Sequence, residues 1–96
     1  MPKLTIYTRS WCPYCDRAMA VLQKAGISDF EEISIDGREG ELRKEIMEKT
    51  GGKRYDVPQL FYGDHYLGDD DDLLRLHQSG KLAELAGGPS VGDEDP

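Results

Sequence analysis

Leu4-Thr-Ile-Tyr-Thr8 is a short run of β-formers, and after Arg9-Ser10 it gives way to Trp11-Cys12-Pro13-Tyr14-Cys15. The reading of that junction decides the fold. Leu4, Ile6 and Tyr7 predict a strand over residues 3–8. Pro13 suits the first position of a helix, where its missing N–H is no loss. Ala18, Val21, Leu22 and Ala25 recur at helical spacing and Gly26 is a natural stop, so a helix is predicted over 13–25. Both cysteines of the chain fall at the join. Two thiols separated by two residues can close a small disulfide ring or bind a metal.

Working outward, Ile33 and Ile35 alternate with polar neighbours and predict a second strand over 30–35. Leu42, Ile46 and Met47 mark one face of a helix over 40–49, which ends at Gly51-Gly52. Residues 57–62 read as a third strand with Pro58 near its start, and proline in strands is confined to edges, starts and bulges. Gly63-Asp64 turns the chain into a short strand over 65–67. Leu73, Leu74 and Leu76 lie on a third helix over 70–78, and residues 81–86 add a helical turn. The order β-α-β-α-β-β-α predicts an α/β fold, a four-stranded mixed sheet flanked by three helices. The first crossover should be parallel and right-handed, and the last two strands an antiparallel hairpin. One domain is expected over residues 1–86, and residues 87–96 are expected to form a disordered acidic tail.

A chain of 96 residues can bury one core without disulfide staples. Cysteines three positions apart would staple nothing, so a secreted disulfide framework is not expected. There is no apolar run of signal-peptide or membrane-spanning length. The expectation is a soluble cytoplasmic protein without a membrane partner, where thiols stay reduced unless they are catalytic. The net charge of −7 is local: Asp69–Asp72 and Asp93-Glu94-Asp95 supply all of it. No basic stripe is present, which argues against nucleic acid.

The thiolate is the nucleophilic form of cysteine, and a helix N-terminus stabilises it through unpaired N–H groups and the positive dipole end. Cys12 stands at or beside the helix start and is expected to be the exposed attacking sulfur. Cys15 lies one turn inside on the same side and is expected to be the shielded resolving sulfur. Arg9 offers a positive charge nearby. The metal reading is weaker, because a structural zinc site usually needs two ligand pairs. His65 and His77 stand too far apart for a finger and read as turn and helix-surface residues, so no metal is expected.

Tyr7-Thr-Arg-Ser-Trp-Cys-Pro-Tyr-Cys15, Val57-Pro58-Gln59 and Gly68-Asp-Asp-Asp-Asp72 together resemble a dithiol glutaredoxin of the small bacterial type, over residues 3 to 85. The resemblance implies a thioredoxin-like fold and an enzyme that reduces protein disulfides and protein–glutathione mixed disulfides. Glutathione would be its cosubstrate, and disulfide-bonded or glutathionylated proteins its partners; it would act as a monomer. The backbone of Val57 would pair with the cysteine portion of glutathione like an added strand, beside a cis Pro58. Backbone N–H groups near Asp70 and Asp71 would bind the γ-glutamyl carboxylate, and the side chain of Asp71 or Asp72 its ammonium. The rest of the aspartate run would cap the helix and offset its dipole. Arg9, and after it Lys53 or Arg54, would meet the glycine carboxylate, and Tyr14 would pack over the mixed disulfide. Three features depart from the family pattern: Asp69 in place of a second glycine, Asp56 in place of threonine, and a longer loop over 52–56. The alternative is a glutathione-ligated iron–sulfur carrier, in which two chains each give Cys12.

Overall fold

The computed structural model describes residues 3–85. The elements are β1 (Leu4–Thr8), α1 (Pro13–Lys24), β2 (Phe30–Ser34), α2 (Glu39–Lys49), β3 (Gln59–Tyr62), β4 (His65–Gly68), α3 (Asp70–Gln78) and α4 (Lys81–Leu85). They form one sheet in the order β2-β1-β3-β4. β1 is parallel to β2 and antiparallel to β3, with Ile6 opposite Leu60 and Tyr7 opposite Gln59. β3 and β4 are the expected antiparallel hairpin.

The two-residue period of a strand sends alternate side chains of β1 to opposite faces. Leu4 and Ile6 point to one face, where they join Leu60 and bury Ala18, Val21 and Leu22 of α1, Leu73 of α3 and Leu82 of α4. Tyr7 points to the other face, where it joins Phe61, Ile35 and, from α2, Leu42 and Ile46. Each fully buried Ile, Leu or Phe is worth about 1.5–3 kcal/mol, so each helix is held mainly by a few apolar contacts on the sheet. On the α2 side the Tyr7 hydroxyl donates to Glu45 Oε2 at 2.5 Å and accepts from Lys49 Nζ at 3.2 Å. Burial, then the Glu45 carboxylate, push the Tyr7 phenol up from its ordinary range.

Most boundaries shift from expectation by a single residue, and three differences have a clear physical reason. β3 starts at Gln59 rather than Val57, because Pro58 has no N–H to give a ladder; the Val57–Pro58 bond is cis. Ile35 lies just past β2, yet it is fully buried and its N–H still reaches Thr8 O at 2.8 Å. Residues 81–85 make a short fourth helix rather than a single added turn, because Leu82 is drawn into the first core. The tail expected over 87–96 lies outside the described residues.

The passage from β4 into α3 depends on Gly68. Its φ is +112°, and a Cβ there would collide with the Asp72 side chain. Asp72 is held in place by a capping box: Asp69 Oδ1 accepts from Asp72 N–H, and Asp72 Oδ2 accepts from Asp69 N–H, both at 3.2 Å. A Gly68→Ala substitution should therefore lose about 1–3 kcal/mol of stability. The check is a urea titration, in which the midpoint should fall while the slope stays unchanged.

Candidate active site

The strand-to-helix junction ends with Cys12 as the N-cap of α1, at φ −121° and ψ 98°. Its Sγ accepts from the Cys15 N–H at 3.1 Å, the place a Ser or Asp oxygen takes in an ordinary cap. Its carbonyl accepts from the Asp16 N–H at 3.1 Å. The sulfur is thus fixed at the positive end of the α1 dipole. Cys12 and Cys15 are joined as a disulfide, with Cα atoms 5.2 Å apart. The residues are 4% and 3% exposed. The expected contrast between an exposed and a shielded sulfur is therefore missing from this oxidised form. The bond and the Cys15 N–H hold the Cys12 sulfur against the first turn of the helix.

The loop before Cys12 is pinned from below. The Ser10 N–H donates to both Asp36 carboxylate oxygens at 3.2 Å, and the Ser10 hydroxyl donates to Asp36 Oδ2. These bonds, the hydroxyl's first, hold the Asp36 carboxyl below its usual range. Trp11 takes a left-handed φ of +56° and is 93% exposed. Arg9 Nη1 donates to the carbonyls of Ser10 and Trp11, at 3.1 and 3.2 Å.

A groove with a volume of about 210 Å³ is lined by Tyr14, Arg54, Asp56, Val57, Pro58, Asp69, Asp70 and Asp71. Tyr14, which stands between the two cysteines, brings the groove to the redox end of α1. Of the side chains expected for ligand binding, Tyr14, Val57, Pro58, Asp70 and Asp71 are therefore together. Arg9 and Asp72 are not with them, and two contacts explain why. Arg9 Nη1 donates to its own loop carbonyls, while Asp72 completes the α3 cap and accepts from Arg75 Nη2 at 2.5 Å. Arg54 lines the groove and Lys53 does not. His65 and His77 also lie outside its lining, and among the described residues no group of three or more His, Cys, Asp or Glu could hold a metal ion.

The three departures in sequence turn out to belong to one structure. Arg54 pairs with Asp56 through Nε and Nη2, at 2.9 and 2.8 Å, and with Asp69 through Nη1 at 3.3 Å. Asp56 also accepts from Gln59 Nε2 at 3.0 Å. The hydrogen bonds from Arg54 are the main reason the Asp56 carboxyl lies below its usual range. Gln59 is fully buried, and its Oε1 accepts from the Tyr66 hydroxyl at 2.5 Å. Sequence reasoning expected part of the aspartate run to cap α3, as Asp69 and Asp72 do, but gave Gln59 no role. The Asp69-x-x-Asp72 spacing was the available signal for the cap, and an amide in an otherwise apolar strand was the signal for Gln59.

A Cys-x-x-Cys disulfide capping the first helix of a four-stranded mixed sheet defines a thioredoxin-like thiol–disulfide site. Comparison with known proteins narrows this. The glutaredoxin family model matches residues 4–67. A glutaredoxin of Pseudomonas aeruginosa is 47% identical over 85 residues, covering 88% of this chain and 96% of that relative. The solution structure of glutaredoxin from Brucella melitensis aligns with a TM-score of 0.72 at 39% identity, over 99% of this chain and 96% of that one. The crystal structure of a buckwheat glutaredoxin–glutathione complex aligns with a TM-score of 0.76 at 23% identity, over 88% and 76% of the two chains, and so speaks for the fold alone. The chain belongs to the glutaredoxin family, and it is an enzyme of the thiol–disulfide oxidoreductase class. No helix among the described residues is long and apolar enough to cross a membrane.

Asp70 allows a check on the electrostatics of the α3 wall. Its side chain is only 9% exposed, and its nearest cation, Arg17 Nη1, is 3.6 Å away. Burial, the largest effect, raises its carboxyl above the ordinary range. A carboxyl whose folded pKa is raised favours the fold while protonated and loses that contribution as pH rises through the folded pKa. Asp70→Asn should therefore match or exceed wild-type stability at pH 7, and the difference should vanish by pH 3. Thermal melts at the two pH values decide it, and a loss of stability at pH 7 would be the wrong sign.

Proposed function

We propose that this protein is a glutathione-dependent thiol–disulfide oxidoreductase that reduces protein–glutathione mixed disulfides and protein disulfides. The observation that carries the reading is the Cys12 sulfur at the N-terminus of α1, within hydrogen-bond reach of the Cys15 N–H and near a groove lined by Tyr14, Val57, Pro58, Asp70 and Asp71. Once the disulfide is reduced, that N–H and the helix dipole favour the Cys12 thiolate. The thiolate attacks the glutathione sulfur of a mixed disulfide. The old S–S bond breaks, the protein thiolate leaves and takes up a proton, and Cys12 carries the glutathionyl group. A second glutathione thiolate attacks that sulfur, which yields glutathione disulfide and regenerates the Cys12 thiolate. With a protein disulfide, Cys12 attacks one sulfur and frees the first protein thiolate; Cys15 then attacks the Cys12 sulfur, frees the second, and leaves the Cys12–Cys15 disulfide for two glutathiones to reduce.

The groove supplies the binding half of the reaction. The Val57 backbone pairs with the cysteine portion of glutathione in the manner of an added strand. N–H groups at the start of α3, near Asp70 and Asp71, take the γ-glutamyl carboxylate, and the exposed Asp71 carboxylate takes its ammonium. Tyr14 packs over the mixed disulfide. The buckwheat glutaredoxin of the same fold was solved as a glutathione complex, in keeping with glutathione as the ligand. The enzyme works as a monomer, in a compartment such as the cytoplasm where glutathione keeps it reduced.

The test is turnover of a glutathionylated peptide and of a disulfide-bonded protein by two variants. Cys12→Ser should lose both reactions. Cys15→Ser should keep the first and lose the second. Turnover by Cys12→Ser would overturn the assignment of the nucleophile.

A further inference from the structure

Among the described residues Arg54 is the sole cation lining the groove, and each of its three nitrogens already donates to an acid. A guanidinium offers a carboxylate two bidentate forks. The fork formed by Nε and Nη2 is filled by Asp56, at 2.9 and 2.8 Å. On its other side Nη1 donates to Asp69 Oδ2 at 3.3 Å. An incoming carboxylate therefore has to share this guanidinium with two acids already bound to it. Both acids are also held by other bonds. Asp56 accepts from the buried Gln59, and Asp69 is the α3 N-cap. Two carboxylates around one guanidinium leave this wall of the groove with a net negative charge.

We propose that Asp56 and Asp69 are specificity-determining residues that act through Arg54 as built-in competitors. By occupying its guanidinium they weaken the groove's hold on a ligand carboxylate and favour thiol partners whose groove-facing end is neutral or cationic. The proposal rests on the glutathione reading above, because glutathione carries a carboxylate at each end. Asp56 is the arm that yields to a ligand, since its side chain is 52% exposed while that of Asp69 is 21% exposed and fixed as a cap. The opposite role is a support that merely aims Arg54 at the ligand. The two roles predict opposite signs when the Asp56 charge is removed.

Asp56→Asn removes the charge and keeps an oxygen to accept from Gln59. Asp56→Thr serves as a second variant that does so with a different shape. The measurement is kcat and KM with glutathione and with its C-terminal glycine amide, for wild type, both variants and Asp56→Asn combined with Arg54→Gln. Loss of a half-exposed competing ion pair should lower KM for glutathione by roughly twofold to fivefold. The change should be carried by KM rather than kcat, be absent for the amide, and disappear in the double variant. A KM for glutathione that rises or stays unchanged overturns the proposal, as does an equal fall for acid and amide. If wild type shows no saturable turnover with glutathione while dithiothreitol still reduces its disulfide, the glutathione reading itself fails and takes the proposal with it. A wild type that uses glutathione normally but is indifferent to Asp56→Asn sinks the proposal alone.

Discussion

One hydrogen bond, from the Cys15 N–H to the Cys12 sulfur, ties the chemistry to the fold. It exists because Cys12 is both the last residue of a loop and the cap of a helix. Pro13 starts that helix without wasting a donor, and Ala18, Val21 and Leu22 anchor it on the sheet. If α1 shifted on its apolar contacts, the sulfur would lose its donor and its place at the dipole end. The core beneath the site therefore determines the geometry at the sulfur.

A second helix start, that of α3, faces the same groove. It is set by the Asp69–Asp72 capping box, and Gly68 gives the box room. Between the two helix starts, the segment leading into β3 presents Val57 and Pro58. A continuous series of polar contacts runs from Tyr66 through Gln59, Asp56 and Arg54 to Asp69 and Asp72. Its members come from β4, β3, the preceding loop and the α3 start. Each buried polar group on this path has a partner, which a low-dielectric wall requires. The walls of the groove are consequently fixed relative to one another before any ligand arrives.

The fold was legible because its signals are local. Leu4, Ile6 and Tyr7 show the strand period, Gly26 and Gly51 mark helix ends, and Pro58 marks the break before β3. The Val57-Pro58 and aspartate segments fall on one groove together with Tyr14 from between the cysteines. The choice of partner by each charged side chain was not legible. Arg9 turned to its own loop, Asp72 to the cap and Arg54 to two acids; most of these partners are near in sequence, but a charged side chain chooses among several near neighbours, and the Arg54–Asp69 pair joins separate segments. Asp69 is 15 residues from Arg54 in the chain, and no periodicity reports such a contact. Exposure of Cys12 was misjudged for a related reason. Both cysteines are buried in the disulfide form, and the residue pattern does not report the oxidation state.

Trp11 has a consequence of a different kind. It is the only indole in the chain, almost wholly in water, and adjacent in sequence to the redox sulfur. Light emitted by this protein under ultraviolet excitation at the indole band thus originates in the loop at the disulfide and not in either core. Denaturation moves that fluorophore from one aqueous setting to another, so its emission colour is a poor gauge of unfolding. The same position makes it sensitive to events at the neighbouring sulfur, since a nearby disulfide quenches indole emission and a dithiol does so less.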